Sequence, residues 1–143
     1  MTVLRFLEGL RVPFLNEFFA SLTILGEDTA FMVVGMIFLW CVSKQAGRYL
    51  LTIGMGGTAM NQWLKLLFRV PRPWVADPAF TIVEKARAGA GGYSFPSGHT
   101  QIAVGVYGGI ARWSRRRWLR ILGIVLAALV GFSRLYLGEH YPS

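Results

Sequence analysis

The chain has 143 residues, of which 54% are apolar and 15% charged, and it carries a net charge of +8. This balance argues against an ordinary soluble domain and predicts a single domain embedded in a lipid bilayer. The basic residues are not interleaved with stacking aromatics on one polar helix, so nucleic acid is not an expected partner. The single cysteine, Cys41, lies in an apolar run, which leaves no disulfide framework and no thiolate metal site.

The N-terminal segment, residues 1–27, predicts an amphipathic helix, and Pro13 suits the first position of a helix. The segment either lies on the membrane surface or forms a further span. Surface placement is favoured, because Glu8, Arg11 and Glu17 would each cost a few kcal/mol near the bilayer centre. A cleavable signal peptide is not expected, since there is no basic leader before an unbroken apolar stretch.

Four nearly uncharged runs follow, and each predicts a membrane-spanning helix: 29–43, 49–64, 96–111 and 118–137. The first two are shorter than the roughly 20 residues that cross about 30 Å of hydrocarbon. Flanking basic side chains would extend them to the interface, and Gly138 marks the end of the last run. The expected fold is all-α, a multi-pass membrane helix bundle of about four spans plus the N-terminal helix.

The distribution of positive charge predicts the topology of these spans. The loop with Lys44 and Arg48 and the arginine-rich loop 112–120 would lie on one side, which the positive-inside rule makes cytoplasmic. The arginine cluster is then a topology determinant rather than a binding patch. The two remaining polar segments, 65–99 and 133–143, would both emerge on the outer, periplasmic or extracellular face.

The first polar segment begins with two cations. Lys65 lies near the end of the second span, and Arg72 stands between two prolines on a stiff, extended stretch. A stiffly held cation suits a bidentate anion such as phosphate, whereas Arg69 is expected to be an interfacial anchor. The glycine-rich stretch 88–92 lacks the Gly-Lys-Ser/Thr of a nucleotide loop, so it predicts a flexible connection.

A Pro-Ser-Gly-His turn opens the third span. Free backbone N–H groups, the helix dipole and the Ser97 hydroxyl form a natural phosphate seat, and Gly98 allows a ligand close to the backbone. A lone histidine at a helix start usually has a structural role. The surrounding cations favour a functional role for His99 instead.

The second polar segment brings a further cation and the second histidine. Arg134 lies near the outer end of the fourth span, where an arginine needs an anionic partner. Gly138 ends the helix and lets the chain turn back, so that His140 faces the same pocket as His99. Together the two segments predict one anion-binding pocket with two working histidines.

These residues form three blocks: K-x6-R-P from Lys65, P-S-G-H from Pro96 and S-R-x5-H from Ser133. Together the blocks resemble the signature of the type 2 phosphatidic acid phosphatase family, which includes the vanadium haloperoxidases. The resemblance covers the chain from Lys65 onward. It implies that His140 is the nucleophile and His99 the general acid. It further implies a phosphate cradle formed by Lys65, Arg72, Ser97, Gly98 and Arg134.

The resemblance also implies a reaction. A neutral His140 would form a phosphohistidine while His99 protonates the leaving oxygen. The nearby cations should depress the pKa values of both histidines in the empty site. Neither a cofactor nor a catalytic metal is expected, because the seven carboxylates form no cluster.

The chain departs from the family pattern at its end. The family carries an aspartate four residues after the nucleophile and then a final membrane helix, whereas this sequence stops at Ser143. Losing an orienting carboxylate costs about 10⁴ in rate in a comparable triad. Because an intact set of phosphate ligands makes little sense without the reaction, the sequence is expected to be a truncated copy of an active enzyme rather than a poorly active remnant.

The expected substrate is a membrane lipid phosphate. Phosphatidic acid, phosphatidylglycerol phosphate and a polyprenyl pyrophosphate are all candidates, and the residues do not separate a monoester from a pyrophosphate. Two other functions stay open: a non-catalytic binder or flippase for lipid phosphates, and a helical membrane scaffold. The sequence predicts no oligomeric state.

Overall fold

The computed structural model describes residues 2–87 and 90–141, and all the regular structure in that part of the chain is helical. The α-helices described are α1 (Thr2–Gly9), α2 (Pro13–Thr23), α3 (Asp28–Ile37), α4 (Lys44–Phe68), α5 (Pro73–Ala76), α6 (Glu84–Arg87), α7 (Gly98–Trp113) and α8 (Arg117–Tyr136). A 3₁₀ turn (Ile24–Gly26) and a π-helical turn (Phe38–Val42) complete them. The all-α prediction is confirmed.

The N-terminal segment forms two helices rather than the single amphipathic helix predicted. The break lies before Pro13, which has no N–H to continue α1 and takes the first position of α2, as expected for a proline. Beyond the 3₁₀ turn the chain bends again, by 57° between the stretches Pro13–Gly26 and Asp28–Val42.

The longest helix, α4, has 25 residues, a length of roughly 37 Å. It begins earlier than predicted, because the Ser43 hydroxyl accepts a hydrogen bond from the N–H of Ala46 and caps the helix. Lys44 and Arg48 therefore belong to the helix and not to a loop. The helix ends at Arg69, whose φ of 49° is left-handed, so Lys65 lies in its last turn.

The last two long helices, α7 and α8, pack side by side and lie within a few residues of the predicted runs. A short connection, residues 114–116, makes them antiparallel neighbours. At Gly123 the helices approach so closely that a Cβ atom would lie 2.5 Å from the carbonyl oxygen of Tyr107. Gly138, with a φ of 83°, follows α8 and turns the chain back, as predicted.

One core joins the helices α3, α4, α7 and α8. Its buried side chains include Phe31, Leu50, Val106 and Val130, one from each helix. Large apolar side chains such as Trp40 and Trp63 face outward instead. An outer surface of this kind is typical of contact with lipid.

Within the described residues, α8 is long and apolar enough to cross a membrane, and the bent pair Pro13–Gly26 with Asp28–Val42 offers a second, broken span. By length and composition, therefore, one or two spans are supported. The count of four stays a prediction.

Candidate functional site

A cavity of about 740 Å³ opens among the 3₁₀ turn, α4, α7, α8 and the loops around them. It brings together six of the seven predicted site residues: Lys65, Arg72, Gly98, His99, Arg134 and His140. The seventh, Ser97, is not among its lining residues. Its hydroxyl caps α7, accepting hydrogen bonds from the N–H of Thr100 at 3.4 Å and from the Thr100 hydroxyl at 3.0 Å.

Arg72 is held on an extended backbone, with φ −74° and ψ 155°, as its flanking prolines predict. Its guanidinium donates from Nη2 to the carbonyl of Gly91 at 2.6 Å and from Nε to the carbonyl of Gly92 at 3.0 Å. The stretch predicted as a flexible connection thus supplies two acceptors that orient Arg72; its residues Ala88 and Gly89 lie outside the described residues. Burial lowers the pKa of Arg72, and Glu139 opposes this shift.

Arg134 has an anionic partner, as its position near the end of the fourth predicted span led us to expect. Its Nη2 donates to the carboxylate of Glu139, and its Nη1 donates to the Thr23 hydroxyl at 2.9 Å. The same carboxylate oxygen of Glu139 lies 3.8 Å from Nη1 of Arg72. Glu139 is fully buried, and burial raises its pKa to about 7 while the two arginines oppose the rise.

Glu139 is a site residue whose role the sequence did not predict. Its carboxylate joins two cations of the predicted phosphate cradle instead of orienting the neighbouring His140. A signal was present, because an arginine in apolar surroundings needs a compensating charge and Glu139 lies five residues beyond Arg134.

His140 is buried, and its two ring nitrogens have different partners. Nδ1 contacts the carbonyl oxygen of Ser94, and Nε2 lies 3.4 Å from Nη1 of Arg72. A carbonyl can only accept and a guanidinium can only donate, so these partners place the proton on Nδ1 and the lone pair on Nε2. Burial, with Arg134 and Arg72, lowers the pKa of His140 to about 2, which keeps the ring neutral.

His99 lies in the first turn of α7, between the main cavity and a smaller one of about 400 Å³. Arg134 also lines both cavities. The 3₁₀ turn packs directly on this histidine, and a Cβ atom at Gly26 would lie 2.9 Å from the His99 carbonyl oxygen. Gly26 therefore permits a close approach that another residue would block.

A polar cluster that the sequence did not single out fixes the Pro-Ser-Gly-His turn on α4. Nδ2 of the buried Asn61 donates to the carbonyl of Pro96 at 3.3 Å and to Oε1 of Gln101 at 2.7 Å. Gln101 in turn donates to the carbonyl of Gly57 at 2.6 Å. The sequence did contain a signal for this cluster, because Asn61 and Gln101 are amides inside otherwise apolar helices.

The comparisons with known proteins agree with the motif blocks. A sequence model described as "PAP2 superfamily" matches residues 45–143. Undecaprenyl-diphosphatase BcrC of Bacillus subtilis (strain 168) is 29% identical over 133 residues, covering 89% of this chain and 66% of that protein. Phosphatidylglycerophosphatase B of the same organism is 29% identical over 145 residues, covering 92% of this chain and 67% of the relative.

A third relative, lipid A 4'-phosphatase of Bacteroides thetaiotaomicron, is 34% identical over 97 residues, covering 64% of this chain and 42% of that protein. The chain thus spans 66% and 67% of the lengths of the first two relatives. No solved structure matches the chain.

Proposed function

The chain belongs to the PAP2 superfamily, and from that premise we propose that it is an integral membrane phosphatase that hydrolyses a lipid phosphate or diphosphate. The observation that carries the proposal is the cavity in which two histidines and three basic side chains converge from distant parts of the sequence. The names of the relatives, which are phosphatases of undecaprenyl diphosphate, phosphatidylglycerophosphate and lipid A, support the same class of reaction.

In the proposed first step, His140 is the nucleophile. The lone pair on its Nε2 forms a bond to phosphorus, the bond between phosphorus and the ester oxygen breaks, and His99 donates its proton to the leaving oxygen. The tautomer held by Ser94 supports this assignment because it leaves Nε2 free of a proton. Arg72 has to move its Nη1 from Nε2 to a phosphate oxygen as the substrate binds.

In the second step, water attacks the phosphohistidine. His99, now neutral, accepts a proton from the water, a new phosphorus–oxygen bond forms, the phosphorus–Nε2 bond breaks, and inorganic phosphate leaves. Lys65, Arg72 and Arg134 stabilise the charge on the equatorial oxygens in both steps, and the N–H of Gly98 at the start of α7 contributes to the same cradle.

These three cations would supply the charge that metal ions provide in many other phosphoryl-transfer sites. Among residues 2–87 and 90–141, no three His, Cys, Asp or Glu side chains are grouped to hold a metal ion. We therefore propose a metal-independent reaction, with phosphate release that persists in excess EDTA.

The proposed enzyme lies in the membrane as one domain over residues 1–143, with several spans and its cavity at the outer face. The phosphate then reaches the cavity from the bilayer surface while the apolar chains stay in lipid. This placement rests on the apolar outer surface of the bundle and on the positive charges of the connection between α7 and α8.

Phosphate release from a panel of phosphatidic acid, phosphatidylglycerol phosphate and a polyprenyl diphosphate tests the function. Release by the parent and at least about 10³-fold less by His140→Ala are expected, because the nucleophile is lost. Equal release by parent and variant would contradict the proposal. Vanadate, which mimics the transferred phosphoryl group, should bind the parent and bind Arg134→Ala more weakly.

A non-catalytic lipid-phosphate binder is the second candidate. Its support is the ion pairing of Glu139 with two of the cradle's arginines, which lowers the positive charge available for catalysis. It predicts phospholipid binding that survives His140→Ala, with no phosphate release by the parent.

A further inference from the structure

We propose that Glu139 links anion binding in the cavity to proton uptake: an oxyanion binds tightly in the phosphate cradle only when the Glu139 carboxylate is protonated. This inference rests on the cradle of the proposed phosphatase and deepens it, because it names the group that regulates the cradle. Glu139 occupies an unspecified position of the third motif block, and the proposed reaction gives it no role.

The Glu139 carboxylate holds both arginines of the cradle from the protein interior. It is fully buried and does not line the cavity, whereas Arg72 and Arg134 do. Its Oε2 accepts a hydrogen bond from Nη2 of Arg134 and lies 3.8 Å from Nη1 of Arg72. The other oxygen, Oε1, is buried and has no hydrogen-bond partner among residues 2–87 and 90–141. The negative charge of Glu139 is therefore stabilised mainly by two guanidinium groups that also line the cavity.

An oxyanion in the cavity competes with Glu139 for these two positive charges. A dianion bound to Arg72 and Arg134 would lie near the ionised carboxylate in a place from which water is largely excluded, so the two negative charges repel each other. Protonation of Glu139 removes this repulsion. Burial already raises the pKa of Glu139 to about 7, and a bound anion would raise it further. Proton uptake is therefore easy at neutral pH.

Other charged or titratable groups also surround the cradle. They are Lys65 of α4, Arg72 before α5, His99 of α7, Arg134 of α8 and, next to Glu139 in the chain, His140. Glu27 and Asp28 line the cavity too, and their charges act on Arg134 and Lys65. Glu27 is half-buried and Asp28 is exposed, so water screens both carboxylates. Glu139 differs from them in being fully buried and bonded to the cradle.

Sulfate is a suitable probe, because it stays a dianion between about pH 6 and about pH 8 and the protein alone then supplies any pH dependence. Isothermal titration calorimetry in detergent micelles measures its affinity. From about pH 8 to about pH 6 the parent should bind sulfate about five- to tenfold more tightly, since Glu139 titrates near 7 in the empty site and above about 8 with the anion bound.

The same titration counts the protons directly. At about pH 7.5, in two buffers with different ionisation enthalpies, the parent should take up about half a proton or more for each sulfate bound. This measurement needs no substitution, so it tests the inference even if a variant at Glu139 fails to fold.

Glu139→Gln removes the charge and keeps the shape of the side chain. At about pH 8 this variant should bind sulfate about five- to tenfold more tightly than the parent, and its affinity should change little down to about pH 6. Glu139→Asp keeps a titrating carboxyl group and should keep the proton uptake. Glu84→Gln is the matched control, because Glu84 is an exposed acid outside the cavity that pairs with Arg87. It should show the pH dependence of the parent.

A parent that binds sulfate equally well at both pH values, without proton uptake, would overturn the inference. So would a folded Glu139→Gln variant that keeps the pH dependence of the parent, because another group would then carry the proton. If the parent binds no sulfate at either pH, the phosphate cradle itself fails, and the proposed function fails with it.

Discussion

The carboxylate of Glu139 is buried between the guanidinium groups of Arg134 and Arg72. Removing one partner of a buried ion pair leaves an uncompensated charge, at a cost of about 3 kcal/mol or more. Glu139→Ala should therefore lower the free energy of unfolding by about that amount, measured by chemical denaturation in detergent micelles. The exposed pair of Glu84 and Arg87 provides the control. Glu84→Ala should change the stability by less than about 1 kcal/mol, and equal losses in both variants would contradict the prediction.

The neutrality of buried His140 predicts a pH dependence of stability. Its pKa is lowered to about 2 in the folded chain, whereas an unfolded histidine titrates near about 6.5. Between these values the unfolded state binds more protons, so the free energy of unfolding falls as the pH drops below about 6.5. From about pH 7.5 to about pH 5, His140 should account for a loss of about 2 kcal/mol.

His140→Asn removes this titrating ring and should lose that part of the pH dependence. Unfolding of parent and variant is compared at both pH values in the same micelles. Glu139 titrates in both proteins, so its contribution largely cancels in the comparison. A variant as sensitive to acid as the parent would show that His140 is not held neutral.

Among the helices, the pair α7 and α8 depends on close approach at Gly123. An added Cβ atom there would lie 2.5 Å from the carbonyl oxygen of Tyr107. This oxygen belongs to the backbone, so moving it aside costs free energy. Gly123→Ala should destabilise the protein by about 1–3 kcal/mol. Gly108→Ala, in α7, is the matched control because nothing lies within 4 Å of its added Cβ. It should be neutral or stabilising by up to about 1 kcal/mol. Similar thermal shifts in both variants would contradict the predicted contact.

The elements that local chemistry determines were predicted well. Ser97 and Gly138 mark the start of α7 and the turn after α8, and both follow from the conformations these residues favour. The start of α4 was missed because Lys44 and Arg48 were assigned to the loop before the helix, although charged residues with long side chains are good helix formers. The split of the N-terminal segment was missed although its cause, Pro13, had been identified.

At the scale of the whole molecule, the motif spacing predicted which side chains would converge. It did not predict the hydrogen bonds and ion pairs that hold those side chains in position. Six of the seven predicted residues line one cavity. Three features depend on how distant segments dock: the acceptors for Arg72 at Gly91 and Gly92, the partners of Asn61, and the proximity of Glu139 to Arg72. No local pattern encodes such contacts, so a single sequence cannot supply them.

The topology predicted from charge is the whole-molecule statement most open to test. If the chain crosses the membrane four times, α5 lies on the outer face and the connection between α7 and α8 on the cytoplasmic face. The exposed Cys41 is the sole cysteine, so Cys41→Ser provides a background without thiols. Val75→Cys in α5 and Ser114→Cys in the connection then place one thiol at each predicted face.

A membrane-impermeant maleimide should label the Val75→Cys protein in intact cells and the Ser114→Cys protein only after permeabilisation. The physical reason is that the arginine-rich connection is retained on the cytoplasmic side. The cavity and α5 then lie on the outer face. Labelling of both proteins in intact cells would place the two positions on one side. The chain would then cross the membrane an even number of times, or not at all, between its cavity and its basic loop. The lipid phosphate would have to reach the cavity from the same side as the arginines.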